Sequence, residues 1–496
     1  MEFNSFHFLV FFPTVLAVYF LVPRKLRWLW LLAASYYFYM SWNPVYVLLL
    51  IFSTLVTWLG GLAVARLRGE KDRGRAKLVL FAVLAANLGL LAYFKYTNFL
   101  LDSLRRAMEL LSVRGRLPVV NILLPIGISF YTFQAIGYTI DVYRGSLEPE
   151  RNLLRYALFV SFFPQLVAGP IERASNLLPQ LRAVDSLTLW EPRRIRRGGL
   201  TMLYGFFLKM VIADRAAIAV NAVFSQYEYC PPSTYAAAML LFAIQIYCDF
   251  GGYSSIAIGA AEVMGVHLME NFRAPYLARS IRDFWGRWHI SLSTWFMDYL
   301  YIPLGGNRRG RWRKYLNLLI VFAVSGLWHG AAWHFVVWGL IHAFLRIGGE
   351  LTTPARKRVR ARLGIGEDWL PLRLAQIAGT FLLVSLAWLF FRAPNLSTAL
   401  FMLRGLACSP WELESLCFDG ISVGMRVEEM ILLLVSIALL LVGDILRENK
   451  VSFADWFEKR STPLRMAFFL VGILGILMFG VYGPDYSVSE FIYFQF

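Results

Sequence analysis

The residues of this sequence best suited to acid–base chemistry are two histidines that each follow a tryptophan. One of them, His329, follows Trp328 inside the segment 315–345, which contains no Asp, Glu, Lys or Arg. A neutral imidazole can take the proton of a hydroxyl group as that hydroxyl attacks a carbonyl carbon. An ionisable side chain in such an apolar segment is costly to keep and is by default a functional candidate. We therefore predict that His329 is a general base.

The second histidine, His289, lies among the polar residues Arg287, Ser291 and Asp298. Charged and aromatic residues are interleaved over 271–303, a mixture typical of an amphipathic helix in the membrane interface. We predict such a helix on the cytoplasmic side, with His289 on it. A catalytic role and a surface hydrogen-bonding role for His289 are equally compatible with these features.

A loop rich in glycine and arginine, 305–310, lies between the two histidine segments. It has the G-x4-G spacing of a phosphate loop but is followed by Arg311-Trp312 rather than by Lys and Ser/Thr, which excludes a nucleotide P-loop. Its arginines either bind the phosphates of a coenzyme or of a phosphopantetheine arm, or form a positively charged anchor on the cytoplasmic side. We predict Asn307 and Arg308 as candidate donor-binding residues.

One carboxylate, Asp249, lies near the middle of the apolar run 236–262. The residues after it, 251–255, are glycine and serine around one tyrosine and predict an interruption of the helix. A buried carboxylate in a membrane helix usually faces a bundle interior or a wet cavity, so Asp249 either orients a histidine or a substrate, or makes a structural hydrogen bond. Lys209 and Asp214 are a candidate ion pair. The further candidates for a substrate or donor tunnel are Tyr253, Asn271, Arg287, Trp295, Asp298 and Trp328.

The sequence predicts no metal site and no bound cofactor. His329 and His334 are five residues apart, which places them on different sides of a helix, unlike the pair of an HExxH motif. His334, Trp338 and His342 recur every four residues, which is typical of packing along one helix face. The four cysteines contain no CxxC pair.

The composition is that of an integral membrane protein. Of the 496 residues, 58% are hydrophobic and 16% are charged, whereas a soluble domain carries about 25% charged residues. Several uncharged runs reach the roughly 20 residues that a membrane-spanning helix needs. The net charge of +17 comes from short basic clusters between apolar runs. This distribution argues against nucleic-acid binding, which needs one contiguous basic face.

Ten apolar runs are candidate spans, and they predict an all-α integral membrane protein with about ten crossings plus re-entrant or broken helices. The runs are 8–22, 28–41, 44–65, 78–100, 152–170, 199–222, 236–262, 372–392, 430–446 and 465–483. Basic clusters lie between them at 24–27, 66–77, 193–197, 308–314 and 356–362. Because lysine and arginine mark the cytoplasmic side, we assign all five clusters to the cytoplasm and both chain termini to the opposite side.

The segment 315–345 has basic clusters on both sides, so a single crossing would place one of them outside the cytoplasm. We therefore predict a hairpin of two half-depth helices with its turn at 325–330. Non-helical backbone at membrane depth is tolerated only where it is buried in protein or lines a wet cavity, so His329 would lie at the floor of a pocket. The helix-breaking residues 124–127 predict a second re-entrant or tilted segment over 121–133.

Several short strings together resemble the membrane-bound O-acyltransferase superfamily. They are Asn271-Phe272, Pro275-Tyr276, Phe284-Trp285-Gly286-Arg287-Trp288-His289-Ile290-Ser291-Leu292-Ser293-Thr294-Trp295, Tyr301-Ile302-Pro303-Leu304-Gly305-Gly306-Asn307-Arg308 and Ser325-Gly326-Leu327-Trp328-His329-Gly330. They are most similar to the bacterial branch that contains the alginate O-acetylation membrane subunit and the D-alanine transfer protein of teichoic acids. The resemblance covers most of the chain and is most specific between residues 271 and 334.

The resemblance implies a multi-helix shell around a central tunnel, with a cytoplasmic thioester donor on one side and an extracytoplasmic acceptor on the other. By motif, His329 matches the family's invariant histidine and His289 matches its second, less universal one. The chain departs from the family pattern at Ser255, where an aspartate would follow Gly-Tyr-Ser. Details of tunnel polarity are therefore not carried over.

From these observations we predict one multi-pass domain, 1–496, with a core motif region at 240–347, in the bacterial inner membrane. It would take an acyl group, most simply acetyl, from a coenzyme A or carrier-protein thioester and move it across the bilayer. The acceptor would be an exported polysaccharide such as alginate, reached through a periplasmic or surface acetyltransferase partner. The alternatives are acetyl or D-alanyl transfer to teichoic acid, peptidoglycan or another wall polymer, and, remotely, a transporter.

Overall fold

A computed structural model of the chain describes residues 1–113, 115, 117–118, 120, 122–167, 169–408 and 424–482. All regular secondary structure within these ranges is helical. Seven of the described helices are long and apolar enough to cross a membrane, and two further apolar helices are shorter. The predicted all-α membrane fold is therefore confirmed. The carboxyl-terminal tail 483–496, which we assign to the extracytoplasmic side, lies outside the described residues.

The chain divides into two compact units. The first unit comprises 1–202 and 256–269, and the second comprises 203–255 and 270–496. The boundaries at residues 202 and 255 fall within helices α9 and α11, whose bounds are given below. The prediction of a single domain over 1–496 stays a prediction.

The first unit is built mainly from long helices at the amino-terminal end of the chain. Its helices are α1 (Phe6–Leu21), α2 (Arg27–Met40), α3 (Val47–Arg66), α4 (Arg73–Leu110), α5 (Ile128–Arg144), α6 (Leu153–Ser161), α7 (Phe163–Leu166), α8 (Ala174–Ala183) and most of α9 (Pro192–Phe206). Two adjacent glycines of α3 allow close packing. A methyl group at Gly60 would lie 2.3 Å from Val83 on α4, and one at Gly61 would lie 2.7 Å from Tyr138 on α5.

The second unit contains the segments with the two tryptophan-preceded histidines. Its helices are α10 (Asp214–Ser225), α11 (Pro232–Val263, up to residue 255), α12 (Ile281–Trp285), α13 (Ile290–Phe296), α14 (Gly310–His329), α15 (Trp333–Arg362), α16 (Leu370–Arg392), α17 (Leu396–Cys408), α18 (Val427–Glu448), α19 (Phe453–Glu458) and α20 (Thr462–Phe479). Two π-helical segments, Phe207–Ala213 and Met297–Tyr301, interrupt the regular winding. Such segments occur frequently at functional sites.

The predicted span 152–170 is wrong as a single helix. Helix α6 ends at Ser161, and α7 begins at Phe163 with a proline in its first turn. Pro164 has no backbone N–H to donate to the carbonyl of Val160, and in a continuous helix its ring would clash with that carbonyl, which explains the break at Phe162. The neighbouring prediction of a break at 124–127 is confirmed, because Gly127 is left-handed and α5 begins at Ile128. Residue 121, at the start of the predicted re-entrant segment, lies outside the described residues.

The predicted interruption of the helix after Asp249 is also wrong, because α11 runs without a break from Pro232 to Val263. The glycine at 252 serves close packing instead. A methyl group on Gly252 would lie 2.8 Å from the carbonyl oxygen of Gly205 and 3.0 Å from the backbone nitrogen of Lys209. A glycine inside a helix often has such a packing reason.

The predicted hairpin over 315–345 is present, since α14 and α15 pack antiparallel. A methyl group at Gly326 would lie 2.2 Å from the carbonyl oxygen of Phe335, and one at Gly339 would lie 2.2 Å from that of Phe322. Two details differ from the prediction. The turn is at 330–332 rather than 325–330, because α14 stays helical through His329. The helices are also longer than half a bilayer, since 20 residues extend roughly 30 Å.

The predicted amphipathic helix over 271–303 is wrong. The segment consists of short helical pieces, and Gly286 and His289 lie between α12 and α13. The backbone instead pairs with itself, because Ile290 N donates to Asn271 O at 2.9 Å and Arg273 N donates to Arg287 O at 3.0 Å. His289 is completely buried within the second unit, so it is not a surface residue.

Candidate active site

His329 is the last residue of α14, and the helix ends at Gly330. A methyl group at Gly330 would lie 2.0 Å from the ring of Phe335, so a glycine is needed for the chain to turn here. The carboxyl-terminal end of an α-helix carries a partial negative charge that stabilises a cation. The position therefore favours the imidazolium that His329 becomes when it accepts a proton.

Aromatic side chains enclose the imidazole of His329, which is 3% exposed. The rings of Trp328 and Trp338 each lie 5.0 Å from it, and both are nearly perpendicular to it. The ring of Phe391 lies 5.6 Å away. Apolar rings around a polar centre exclude water, and electrostatic interactions there are stronger than in solvent.

His289 caps the amino-terminal end of α13 in a left-handed backbone conformation, with φ of 42°. This conformation is uncommon for a residue with a side chain and marks a position that the surrounding structure holds in place. The imidazole packs perpendicular to Phe250 at 4.6 Å. Its complete burial lowers the pKa of His289 to about 3, so the ring is neutral at physiological pH.

The side chain of Asn271 connects the loop of His289 to two helices. Its amide nitrogen donates to Ser254 Oγ on α11 at 3.0 Å, and its amide oxygen accepts from Ser291 Oγ on α13 at 2.6 Å. Its backbone oxygen also accepts from Ile290 N at 2.9 Å. All of these side-chain groups are buried. Asn271 therefore fixes both residues that follow His289.

The imidazoles of His289 and His329 have their ring centroids 6.3 Å apart. Trp328 packs against both, 5.0 Å from His329 and 6.0 Å from His289. Three of the residues predicted from the sequence thus form one buried cluster. Two imidazoles at this separation can act on the same small substrate, one accepting a proton while the other makes a hydrogen bond.

Comparison with known proteins identifies the family. Residues 149–362 match the membrane-bound O-acyltransferase family. A protein named probable alginate O-acetylase, from Pseudomonas putida, is 35% identical over 514 residues that cover 100% of both chains. The chain belongs to the membrane-bound O-acyltransferase family. This membrane-bound O-acyltransferase is thus an enzyme and a multi-pass membrane protein, and the remote transporter interpretation is dropped.

Two further relatives of this membrane-bound O-acyltransferase have different names. A peptidoglycan O-acetyltransferase of Helicobacter pylori is 36% identical over 402 residues, which are 76% of this chain and 73% of the relative. A teichoic acid D-alanyltransferase of Bacillus subtilis is 29% identical over 248 residues, which are 46% of this chain and 59% of the relative. The predicted family and its bacterial branch are confirmed.

Asp249 forms an ion pair with a lysine of the second unit. The Nζ of Lys209 lies 2.7 Å from Asp249 Oδ1 and 2.8 Å from Asp214 Oδ1. The predicted ion pair of Lys209 with Asp214 is therefore present and includes a second carboxylate. Tyr253, another tunnel candidate, is buried with its ring 5.6 Å from the same ammonium.

Arg287 forms ion pairs at the edge of the second unit. Its guanidinium binds Asp283 through Nε at 2.7 Å and Glu448 through both terminal nitrogens, at 2.6 and 3.0 Å. The hydrogen bonds with Glu448 and Asp283 raise the pKa of Arg287 above its ordinary value. The arginine thus connects the segment before His289 to the end of α18.

Three further predicted tunnel residues, Trp295, Asp298 and Asn307, lie in the second unit. The ring of Trp295 packs on Tyr299 at 5.0 Å, and Asp298 is half-buried in the π-helical segment Met297–Tyr301. Asn307 accepts a hydrogen bond from the hydroxyl of Tyr301.

Arg308 is exposed in the glycine loop, whose Gly305, Gly306 and Gly310 all have positive φ. The buried amide of Asn317 holds this loop, because its nitrogen donates to the carbonyl of Gly306 at 3.1 Å. The backbone of the glycine loop is therefore held in place by Asn317, and the loop presents the positive charge of Arg308 at the protein surface.

Sequence reasoning missed several members of the histidine cluster. Trp338 and Phe391 surround His329, and Phe250 covers His289. Trp338 carried one signal in the sequence, its four-residue spacing from His342, which we assigned to packing. Phe250 and Phe391 carried no signal that separates them from other apolar residues. Within the described ranges, no group of three His, Cys, Asp or Glu residues could hold a metal ion.

Proposed function

We propose that this membrane-bound O-acyltransferase transfers acetyl groups from a cytoplasmic thioester toward an exported polysaccharide such as alginate. The observation that carries the proposal is the buried pair of His289 and His329, with ring centroids 6.3 Å apart. The relatives support the choice of acetyl, since two of the three described above are named as O-acetylating proteins. The full-length relative is the one whose name contains alginate.

In the proposed reaction, His329 is the general base. The hydroxyl oxygen of the acceptor attacks the thioester carbon, and the proton of that hydroxyl passes to an imidazole nitrogen of His329. The new carbon–oxygen bond forms, the carbon–sulfur bond breaks, and the thiolate leaves and takes the proton from His329. The negative end of α14 stabilises the intermediate imidazolium, and the surrounding aromatic rings keep water from competing as acceptor.

His289 has a different proposed role. Because burial lowers its pKa to about 3, His289 stays neutral while His329 changes charge. A neutral imidazole has one donor and one acceptor nitrogen. We propose that His289 holds the reacting hydroxyl or carbonyl by a hydrogen bond. Trp328, which packs against both imidazoles, would form the side of the site between them.

The donor is proposed to be acetyl-coenzyme A or another acyl thioester that approaches from the cytoplasm. Arg308, with the arginines at 309, 311 and 313, forms a basic surface near the start of α14 that suits phosphate groups. By the positive-inside rule, we propose that the basic clusters lie on the cytoplasmic side of the bacterial inner membrane and that both chain termini lie on the opposite side. The acyl group would reach the polysaccharide through a periplasmic or surface acetyltransferase partner.

The test uses inverted membrane vesicles, with labelled acetyl-coenzyme A outside and the label followed into protein or polymer. Wild type should transfer the label, and His329→Ala should lose transfer while keeping wild-type abundance and thermal stability. His267→Ala is the matched control, because this histidine is exposed. Equal transfer by wild type and His329→Ala would contradict the general-base assignment.

A second candidate function is acyl transfer to a wall polymer, including D-alanyl transfer from a carrier protein. This second candidate is supported by the names of two relatives, the peptidoglycan O-acetyltransferase of Helicobacter pylori and the teichoic acid D-alanyltransferase of Bacillus subtilis. The two functions differ in their acceptor, and D-alanyl transfer also differs in the acyl group. The vesicle assay should therefore be repeated with labelled acetyl-coenzyme A and with a labelled acylated carrier protein, and the label followed separately into exported polysaccharide and into wall polymer. Label in the wall polymer alone would replace the first proposal by the second.

A further inference from the structure

Helix α15 carries two buried nitrogen donors beside the histidine cluster. Trp338 Nε1 and His342 Nε2 are both inaccessible to solvent and have no hydrogen-bond partner among the residues that the structure describes. Both side chains are completely buried, at 0% exposure. A buried donor that stays unsatisfied loses its hydrogen bonds to water without replacement and so destabilises the folded protein. Two such donors on adjacent turns of one helix therefore point to a ligand that supplies acceptors.

The tautomer of His342 follows from its neighbour. Trp285 Nε1 lies 3.3 Å from His342 Nδ1. An indole nitrogen can only donate, so Nδ1 is the acceptor and carries no proton. The proton of the neutral imidazole is then on Nε2. The unsatisfied nitrogen of His342 is consequently an N–H donor, like that of Trp338.

The two donors follow one another along α15, and the first of them lies next to His329. The ring of Trp338 lies 5.0 Å from that of His329, and the ring of His342 lies 5.1 Å from that of Trp338. Their four-residue spacing places them on one face of the helix, about one turn apart. Helix α15 runs from the turn beside His329 to the basic cluster 356–362. The donors thus lie on the side from which we propose that the thioester arrives.

The packing around Trp338 fixes its ring. Trp388 stacks on it at 5.4 Å with an interplanar angle of 21°, and Phe391 packs against it at 5.1 Å. The next residue, Gly339, brings the backbone of α15 against the carbonyl of Phe322 on α14. A donor that is held in place before the reaction stabilises developing charge without a reorganisation cost.

We propose that Trp338 and His342 form a carbonyl-binding site for the arm of the thioester donor. Trp338 Nε1–H binds the thioester carbonyl oxygen, and His342 Nε2–H binds the amide carbonyl that follows a few bonds along a pantetheine arm. This inference rests on the proposed function, because it takes the donor and the base from there. It adds a group that stabilises the oxyanion and a second group that recognises the arm.

The chemical step needs such a donor. When the acceptor hydroxyl attacks the thioester carbon and gives its proton to His329, the carbonyl oxygen becomes negatively charged. The indole N–H of Trp338 then donates to an oxyanion rather than to a neutral oxygen, and this hydrogen bond is stronger. The oxyanion re-forms the carbonyl as the carbon–sulfur bond breaks and the thiolate leaves with the proton from His329.

The first experiment compares Trp338→Phe with Trp58→Phe in the vesicle assay, with acetyl-coenzyme A as donor. Phenylalanine keeps an aromatic ring and removes the N–H, so Trp338→Phe should lower kcat by roughly 100-fold, the usual effect of removing one oxyanion donor. Trp58→Phe makes the same chemical change outside the histidine cluster, at an indole N–H that donates to the carbonyl of Glu150 at 2.8 Å. It should retain kcat within a few-fold. Equal kcat values for the two variants would overturn the assignment of Trp338.

The second experiment tests His342 with a full and a truncated donor. His342→Phe should raise KM for acetyl-coenzyme A about tenfold, because one neutral hydrogen bond is lost. The same variant should react like wild type with S-ethyl thioacetate, which has no amide carbonyl. His342→Gln keeps an N–H and should restore most of the affinity. An equal effect of His342→Phe on both donors would overturn the arm-binding role.

These outcomes are distinguishable from a failure of the proposed function. If wild type and His329→Ala transfer acetyl equally, the base assignment of the proposed function fails, and a lower kcat for Trp338→Phe than for Trp58→Phe would still support the oxyanion donor. If transfer depends on His329 while Trp338→Phe keeps its kcat and His342→Phe keeps its KM, the proposed function stands and the carbonyl-binding site is wrong. Thermal stability of each purified variant in detergent, within a few degrees of wild type, ensures that the kinetic changes do not come from unfolding.

Discussion

The hydroxyl of Ser291 donates a hydrogen bond to the side-chain oxygen of Asn271 at 2.6 Å, and this bond fixes the residue two positions after His289. The amide nitrogen of Asn271 donates in turn to Ser254 on α11. The left-handed backbone of His289 is therefore held from the helix that follows it and from α11. The position of the proposed hydrogen-bonding imidazole therefore depends on the hydrogen bonds of Asn271.

Asn271→Ala should lower kcat for acetyl transfer by about 100-fold, because a displacement of roughly 1 Å at a reacting group has this effect. Asn271 acts here as a positioning residue, so KM for the thioester should change little. Asn271→Asp keeps the acceptor for Ser291 and should recover part of the rate. Asn449→Ala, at an exposed position after α18, is the control. A KM effect without a kcat effect would contradict the positioning role.

His289 should make the stability of the folded protein depend on pH. Its pKa is lowered to about 3 by burial, from an ordinary value of 6.5. Between these values the unfolded chain binds a proton that the folded chain does not bind. The free energy of unfolding therefore falls as pH falls below about 6.5, by at most about 1.4 kcal/mol per pH unit from this residue.

The measurement is Tm in lipid nanodiscs at intervals from pH 7.5 to pH 4.5. His289→Gln removes the titrating group and should flatten the decline, whereas the exposed His267→Gln should leave the decline unchanged. Parallel curves for wild type and His289→Gln would show that His289 does not contribute.

The sequence predicted the long helices because a membrane-spanning segment must be apolar over its length, and this property is local. It did not predict which side chains meet, because contacts such as that of Asn271 with Ser254 depend on how helices pack. Gly252 illustrates the limit. The glycine and serine residues around it indicated a helix break, whereas in the structure Gly252 allows α11 to pack closely against the backbone of Lys209.

In the candidate site, too, residue type was predictable from the sequence, whereas side-chain contacts were not. The histidines at 289 and 329 were predicted because their residue type and sequence neighbours are unusual in an apolar chain. Trp338 and His342 were assigned to ordinary packing, since a four-residue spacing fixes a helix face but not what that face meets. The charged and aromatic mixture over 271–303 indicated an interfacial helix. The left-handed backbone of His289 prevents a continuous helix there, and nothing in the sequence indicates this conformation.

Lys209→Met should destabilise the protein strongly without changing the chemistry of the histidine cluster. The variant removes the ammonium that lies 2.7 Å from Asp249 and 2.8 Å from Asp214, and all three side chains are buried. Breaking a buried ion pair by removing one partner costs about 3–5 kcal/mol. Tm should fall markedly, while the variant that folds at low temperature should keep the wild-type kcat.

The matched variant for Lys209 is Lys314→Met. Lys314 also binds a carboxylate, that of Glu350, but this pair is partly exposed. Partly exposed pairs contribute about 1 kcal/mol or less, so the loss of Tm should be small. If Lys314→Met lowered Tm as much as Lys209→Met does, the burial of the Lys209 cluster would not be the cause.

The turn between α14 and α15 should not accept a side chain at residue 330. A methyl group on Gly330 would lie 2.0 Å from the ring of Phe335, and overpacking of this kind costs about 1–3 kcal/mol. Since Gly330 follows His329 directly, Gly330→Ala should both lower Tm and displace the proposed base, with kcat reduced at least tenfold. Phe335→Leu in the Gly330→Ala background removes the clashing ring and should restore part of both quantities. Gly348→Ala, where a methyl group meets no atom within 4 Å, should leave Tm and kcat unchanged, and an equal loss in that control would show that the effect is not specific to the turn.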